Sequence, residues 1–355
     1  MTQTPSQEEH RLTERDREIL KAVILSYVVE AEPVSSRSVS KRSGLGLSAA
    51  TIRNVMADLE DEGYLMQPHT SAGRVPTSAA YHLFIESMMH NRRVPAKVRR
   101  YIQENLASVL GDADDLMEAT THLLSELSSQ MGLVVTPAMG DTVLKAVDFV
   151  PLSGRKVLCV VASTSGFVDN KVVETREELD REMLIRISNY LNDNFAGHTL
   201  RQIRDELLST MAEERAQMDR LLGLAIELAR QGLDLDSGPK VIHEGTPALL
   251  TQPELADVTR VRRLFDTFSN HAQLVGMLSQ CIEGSGVRVT IGDESELTSE
   301  LDFSLVTTTY GVDQAPLGSL GIFGPSRMEY EKVIPLVHFL GESLSRALAD
   351  MYVDT

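Results

Sequence analysis

Apolar positions in the first ninety or so residues recur at helical spacing in blocks, and proline or glycine stands between the blocks. Ile19, Leu20, Val23, Ile24, Tyr27 and Val28 make the first stripe, Thr13 and the acidic residues after it supply a start signal, and Pro33 forbids continuation past Ala31. Ser35 or Ser36 opens a short second helix that Gly44-Leu45-Gly46 ends. Ser48 then opens a third, in which Ile52, Val55, Met56 and Leu59 form the inward face. After Gly63 the spacing predicts a strand over 64–67, a turn-rich tip over 68–73, a returning strand at Arg74-Val75, and a fourth helix from Thr77 with Tyr81, Phe84, Ile85, Met88 and Met89 inward.

Two short helices joined by a glycine-containing turn, followed by a hairpin and a further helix, make a winged helix-turn-helix pattern. The outward face of the third helix carries Ala50, Arg53, Asn54 and Ala57, with Thr51 at its flank. Small residues permit close approach to base edges, arginine suits guanine, asparagine suits adenine, and threonine suits a thymine methyl or a phosphate. An isolated amphipathic helix would present such residues merely as a solvated face, and the hairpin behind it favours contact. Ser36, Arg37, Ser48, Ala50, Thr51, Arg53 and Asn54, with His69, Thr70, Ser71 and Arg74 on the hairpin, are therefore the candidate DNA-binding residues.

Beyond the module, residues 92–105 read as a basic linker helix and 112–131 as an amphipathic helix. Strand signals follow at 133–135, 144–150, 157–162 and 168–173. Charged helical patterns run from Glu177 to about Leu233, strands return at 287–291, 303–309 and 317–323, and a last helix covers 327–352. An all-helical stretch between sheet-forming stretches suggests an insertion in an α+β domain. The expected division is a DNA-binding module with its linker over 1–105, an α+β domain over 106–178 and 257–355, and an inserted helical domain over 179–256. Met211, Met218, Leu221, Leu222, Leu224, Ala225 and Leu228 form an apolar stripe that is either core or the seam of a dimer.

The formal net charge of -17 argues against nucleic acid until it is divided along the chain. Residues 1–105 carry 14 basic and 13 acidic side chains, whereas the remainder carries 20 and 38. An acidic body with a near-neutral N-terminal module is what a modular DNA binder shows. No stretch has the roughly eighteen apolar residues of a membrane span, and the polar start lacks a signal-peptide core, so a cytoplasmic protein is expected. Cys159 and Cys281 sit in apolar runs and are expected to be buried thiols, neither disulfide nor metal ligands. Phosphate-loop, dinucleotide-binding, HExxH, GxSxG and CxxC motifs are all absent and the histidines lack metal-ligand spacing, so neither an enzyme nor a cofactor is expected.

The stretches LTERDREIL (12–20), YVVEAEPVSSRSVSK (27–41), LSAATIRNVMADLEDEGYL (47–65) and HTSAGRVPT (69–77) resemble, in order and spacing, the N-terminal region of the HrcA family of heat-inducible transcription repressors. IFGPSRMEYEKVIPLVHFLGESLSRAL (322–348) is similar to that family's closing motif. The resemblance implies a GAF-like α+β body interrupted by a helical dimerisation domain. It further implies a homodimer on an inverted-repeat operator of double-stranded DNA near chaperone genes, with the GroE chaperonin as modulator. A small-molecule sensor built on the body is the alternative. Two departures stand out. Ala80-Tyr81-His82 replaces the family's usual Gly-Tyr-Arg, and the segment Ile291-Gly292-Asp293-Glu294-Ser295-Glu296 is altered, so no role is carried over for either.

Overall fold

A computed structural model of the chain describes residues 12–70, 72–88, 93–110, 112–212, 220–233, 238–269, 275, 278, 286–299, 302–312 and 315–353. Three helices come first: α1 (Glu14–Glu30), α2 (Ser36–Arg42) and α3 (Ala49–Asp61). Each is started by a side-chain cap, from Thr13, Ser35 and Ser48 respectively, that accepts one of the amide hydrogens the first turn leaves unpaired. A two-stranded antiparallel ribbon follows, β1 (Leu65–Met66) against β2 (Val75–Pro76), and then α4 (Ser78–Met88). The apolar stripes converge as their spacing requires: Ile19, Val23, Ile24, Ile52, Leu59, Leu65, Tyr81 and Ile85 are all buried together.

Pro95 leads into α5 (Ala96–Ala107), and α6 (Ala113–Ser128) opens on a capping box from Asp112 and Asp115. The strands then divide between two sheets. One is five-stranded and antiparallel, in the order β7 (Val241–Glu244), β3 (Met131–Val135), β10 (Ala315–Pro325), β9 (Phe303–Val312), β8 (Arg288–Ile291). Its faces alternate with the period of two that a pleated strand imposes. Val134, Val306, Tyr310, Leu320 and Ile322 join the core that includes α6 and the long closing helix α13 (Tyr330–Val353), whereas Leu133, Leu305, Phe303 and Phe323 pack on the other side with Leu249, Leu255, Leu264 and Phe268. Those last four come from α10 (Thr246–Leu250), a 3-10 turn at Pro253–Leu255 and α11 (Val258–Ser269); α12 (Glu296–Ser299) is a short helix before β9.

The second sheet is the meander β4 (Leu144–Pro151), β5 (Lys156–Ser163), β6 (Val168–Glu174). It shares a separate core with α7 (Arg181–Phe195), α8 (Leu200–Ala212) and α9 (Arg220–Gly232). Asn192 on α7 pairs with β4 as a neighbouring strand would, accepting from the Val147 amide at 2.8 Å and donating to its carbonyl at 3.0 Å. The boundary expected at 178/179 therefore runs through this core: the three strands belong with the helices that follow them. Strand β7, read as part of the helical insert, belongs instead to the five-stranded sheet. Four residues are too few to display an alternation by themselves.

Leu224, Ala225 and Leu228 face this second core, so that part of the apolar stripe is core and not a seam. Met218 lies outside the described residues, as does Cys281. Cys159 is buried under the helices, and that burial pushes its thiol up to about 12, leaving a packed apolar group with no nucleophilic character at neutral pH. Among the described residues no helix is long and apolar enough to cross a membrane, and no cluster of three or more His, Cys, Asp or Glu is set to hold a metal.

Candidate nucleic-acid interface

Helix α3 is anchored at its start by Ser48, whose Oγ accepts from the Thr51 amide at 3.1 Å and lies 2.9 Å from the Thr51 hydroxyl. Ser40 on α2 donates to the Leu47 carbonyl at 2.8 Å, which joins the second helix to the residue that leads into the third. With Ile52, Val55, Met56 and Leu59 buried, the 3.6-residue period turns Ala50, Arg53 and Asn54 outward, and all three are exposed. Among the described residues no hydrogen bond or ion pair engages the side chains of Arg37, Arg53 or Asn54. Ser36 and Thr51 are half-buried, and Ser48 and Thr51 spend hydroxyl capacity on the cap.

The ribbon stands beside this helix. It is widened by Val34, whose amide donates to the Arg74 carbonyl at 2.8 Å and whose carbonyl accepts from the Arg74 amide at 2.9 Å. Gly73 is needed for that approach, because a Cβ there would stand 2.4 Å from the Val34 carbonyl oxygen. Gln67 donates to the carbonyls of Thr70 and Ala72 at 3.1 and 3.0 Å, which draws the loop in and leaves His69 and Thr70 exposed at its end. Ser71 lies outside the described residues.

Arg74 departs from the expectation of a cation at the wing tip. It sits at the end of the loop, one residue before β2, where Nε and Nη2 both reach Glu60 Oε2 of α3 at 2.7 Å. Both side chains are mostly shielded from solvent, so this guanidinium clamps ribbon to helix. Nothing in the linear pattern paired residues 14 apart across a helix end and a hairpin.

The two departures from the family motif face each other. His82 Nε2 lies 2.5 Å from Glu294 Oε1, and Ser78 donates to Asp293 Oδ1 at 3.1 Å, so the first turns of α4 rest on the turn Gly292–Glu294 after β8. Gly292 makes room, since a Cβ there would meet the Ser78 hydroxyl at 2.9 Å. Between these contacts, the rings of Tyr81 and Tyr330 pack at 5.5 Å, and burial raises the Tyr81 phenol well above its usual range. His82 thus contacts the body of the protein. The two segments lie 212 residues apart, a separation that no local sequence pattern can pair.

Comparison with known proteins covers nearly the whole chain. A family model described as "HrcA protein C terminal domain" matches residues 114–334. The chain is 43% identical over 337 residues to the heat-inducible transcription repressor HrcA of Geobacter sulfurreducens, covering 95% of this chain and 98% of that one. It is 35% identical over 342 residues to the repressor of the same name from Syntrophobacter fumaroxidans, covering 96% and 98%. A crystal structure of a hypothetical protein has the same fold, with a TM-score of 0.65 at 23% identity over 96% of this chain and 99% of the other. The chain belongs to the HrcA family, a family of transcription repressors and not of enzymes.

Proposed function

We propose that residues 12–88 form a winged helix-turn-helix, that α3 enters the major groove of duplex DNA, and that the protein is a cytoplasmic repressor of heat-shock chaperone genes. The observation that carries this reading is the exposed, unengaged pair Arg53 and Asn54 on the face opposite the buried stripe, beside a rigid ribbon. Arginine and asparagine with free hydrogen-bonding capacity can each make a bidentate contact to a base edge. Exposed Ala50 lets the helix come close, Ser36, Arg37, Ser48 and Thr51 flank it toward the phosphates, and His69 and Thr70 form the wing's end. The acids Asp58, Asp61 and Glu62 lie at the far end of α3, so the helix approaches by its N-terminal half. Arg74 serves this interface by holding the wing against α3 through Glu60. Replacing Arg53 or Asn54 by Ala is expected to cost about 1–3 kcal/mol of operator affinity and to relax preference at one base pair. Full affinity and unchanged preference in both variants, measured by fluorescence anisotropy on labelled duplexes, would dismiss the base-reading role.

One recognition helix is a weak grip, and a homodimer on an inverted repeat doubles it. The outer face of the second sheet supports this. Val150, Leu158 and Val172 form one cross-strand row and Ala146, Ala162 and Val168 another, and Val150, Val168 and Val172 are 40%, 47% and 54% exposed. Soluble monomers seldom leave such apolar rows uncovered. Changing Val150 and Val172 to Lys should yield a monomer by sedimentation; an intact dimer would place the seam elsewhere. A GAF-like classification of the five-stranded sheet and modulation by the GroE chaperonin complete the reading. The chaperonin arm predicts higher operator occupancy when purified chaperonin is added, and constant occupancy speaks against it. The ligand-sensor alternative has one observation in its favour, a cavity of about 950 Å³ between α4, α5 and α13 floored by Ile85, Val94, Ile334 and Phe339.

A further inference from the structure

The family-specific stretch Gly324-Pro325-Ser326-Arg327-Met328-Glu329-Tyr330 runs from the end of β10 into α13, and two of its side chains reach the N-terminal module, Arg327 at the Val28 carbonyl and the Tyr330 ring at Tyr81. The loop is tightly held. The Ser326 amide donates to the Asp302 carbonyl at 3.0 Å, the Met328 amide to the Pro325 carbonyl at 3.0 Å, and the Tyr330 hydroxyl to the Ser326 carbonyl at 2.8 Å. Arg327 projects from this fixed base. Its Nε and Nη2 take the two carboxylate oxygens of Glu254 at 2.6 and 3.2 Å, Nη2 also donates to Gln252 Oε1 at 3.0 Å, and Nη1 donates to the Val28 carbonyl at 3.2 Å. Arg327 and Glu254 are only 13% and 12% exposed.

Val28 lies in the last turn of α1, where carbonyls have no partner within the helix and the helix dipole favours a cation. The last turn of α1 has no basic residue of its own. Arg327 supplies it from 299 residues away. Contacts continue from there toward α3: α1 ends at Glu30, Val34 bridges Arg74, and Arg74 grips Glu60 on α3. A second tie, Ser78 and His82 on the turn Gly292–Glu294, holds the module at α4.

We propose that Arg327 is a positioning residue for operator recognition: by joining the C-terminal turn of α1 to Glu254 and Gln252 of the body, it sets the direction in which the body presents α3. This rests on the reading of α3 as the DNA-contacting helix. Removing Arg327 alone would strand a buried carboxylate, so the variant is Arg327→Met with Glu254→Gln, which discards both charges and keeps the volumes close. Nitroxide labels at Asp58→Cys on α3 and Glu342→Cys on α13, in a Cys281→Ser background of the full chain, report the module-to-body distance without DNA. A narrow distance distribution in the parent should widen in the double variant, hydrogen-exchange protection within α1 and within β9 should persist, and operator affinity should fall roughly tenfold. Glu254→Gln alone should widen the distribution less, in the same sense. An unchanged distribution in both variants overturns the proposal, and so does loss of protection throughout the chain, which would make Arg327 a general stability residue. Failure of the parent to bind duplex DNA, with the distances behaving as expected, would instead sink the DNA reading alone.

Discussion

The outward face of α3 and the 324–330 loop each turn on an arginine, and the two are solvated in opposite ways. Arg53 is exposed and engages nothing among the described residues, while Arg327 is nearly buried and gives hydrogen bonds to three separate residues. A guanidinium in water keeps its five donors available to whatever arrives, whereas a buried one must be satisfied from within the fold or cost several kcal/mol. Arg74 is intermediate: half-buried, paired once with Glu60, and placed within the very module that presents Arg53. The lesson is that position in the N-terminal module does not assign an arginine to DNA. What assigns it is whether its donors are already used.

The largest test of this contrast is Arg327→Ala, which should lower stability by about 3 kcal/mol, because Glu254 is left buried without its partner. Urea unfolding followed by circular dichroism measures it, and a loss under about 1 kcal/mol would show that Glu254 finds water or another donor. Arg74→Ala should cost about 1 kcal/mol, since solvent already screens part of its pair, and should weaken binding to every duplex sequence alike. An effect restricted to one operator base would return Arg74 to the reading surface. Arg53→Ala should leave the melting temperature nearly unchanged, with stability altered by less than about 0.5 kcal/mol, while operator affinity falls. The smallest effect concerns His122 on α6, whose Nδ1 donates to Glu244 of β7 at 2.8 Å; that hydrogen bond raises its pKa above the usual 6.5. Protonation then favours the fold. The contribution is full below pH 6.5 and fades as pH rises through the raised value. Because both groups are well exposed it amounts to a few tenths of a kcal/mol, and His122→Ala should flatten the difference in melting temperature between pH 5.5 and 8.5.

Much of the module was legible from local signals, and for local reasons. Caps at Thr13, Ser35 and Ser48, the breakers Pro33 and Gly63, and the i, i+3, i+4 stripes act within a few residues, so a linear reading finds them. Orientation of Arg53 and Asn54 followed from the burial of Ile52, Val55 and Met56, which helical period alone dictates. Sheet membership was another matter. Strands β4 and β5 bury one face while β3, β9 and β10 bury both, yet nothing in a strand's own residues names the sheet it joins, so the boundary expected at 178/179 runs through one core.

Amino-acid order by itself determined the helices, the ribbon, the exposed face of α3 that carries Arg53 and Asn54 and, through its motifs, the family. Tertiary structure alone decided the roles of the remaining charges. Glu60 with Arg74, Glu294 with His82, and Glu254 and Val28 with Arg327 are partners separated by 14, 212, 73 and 299 residues. Electrostatic pairing depends on distance in space and on the solvent displaced, neither of which is written in sequence spacing once the chain has turned back on itself.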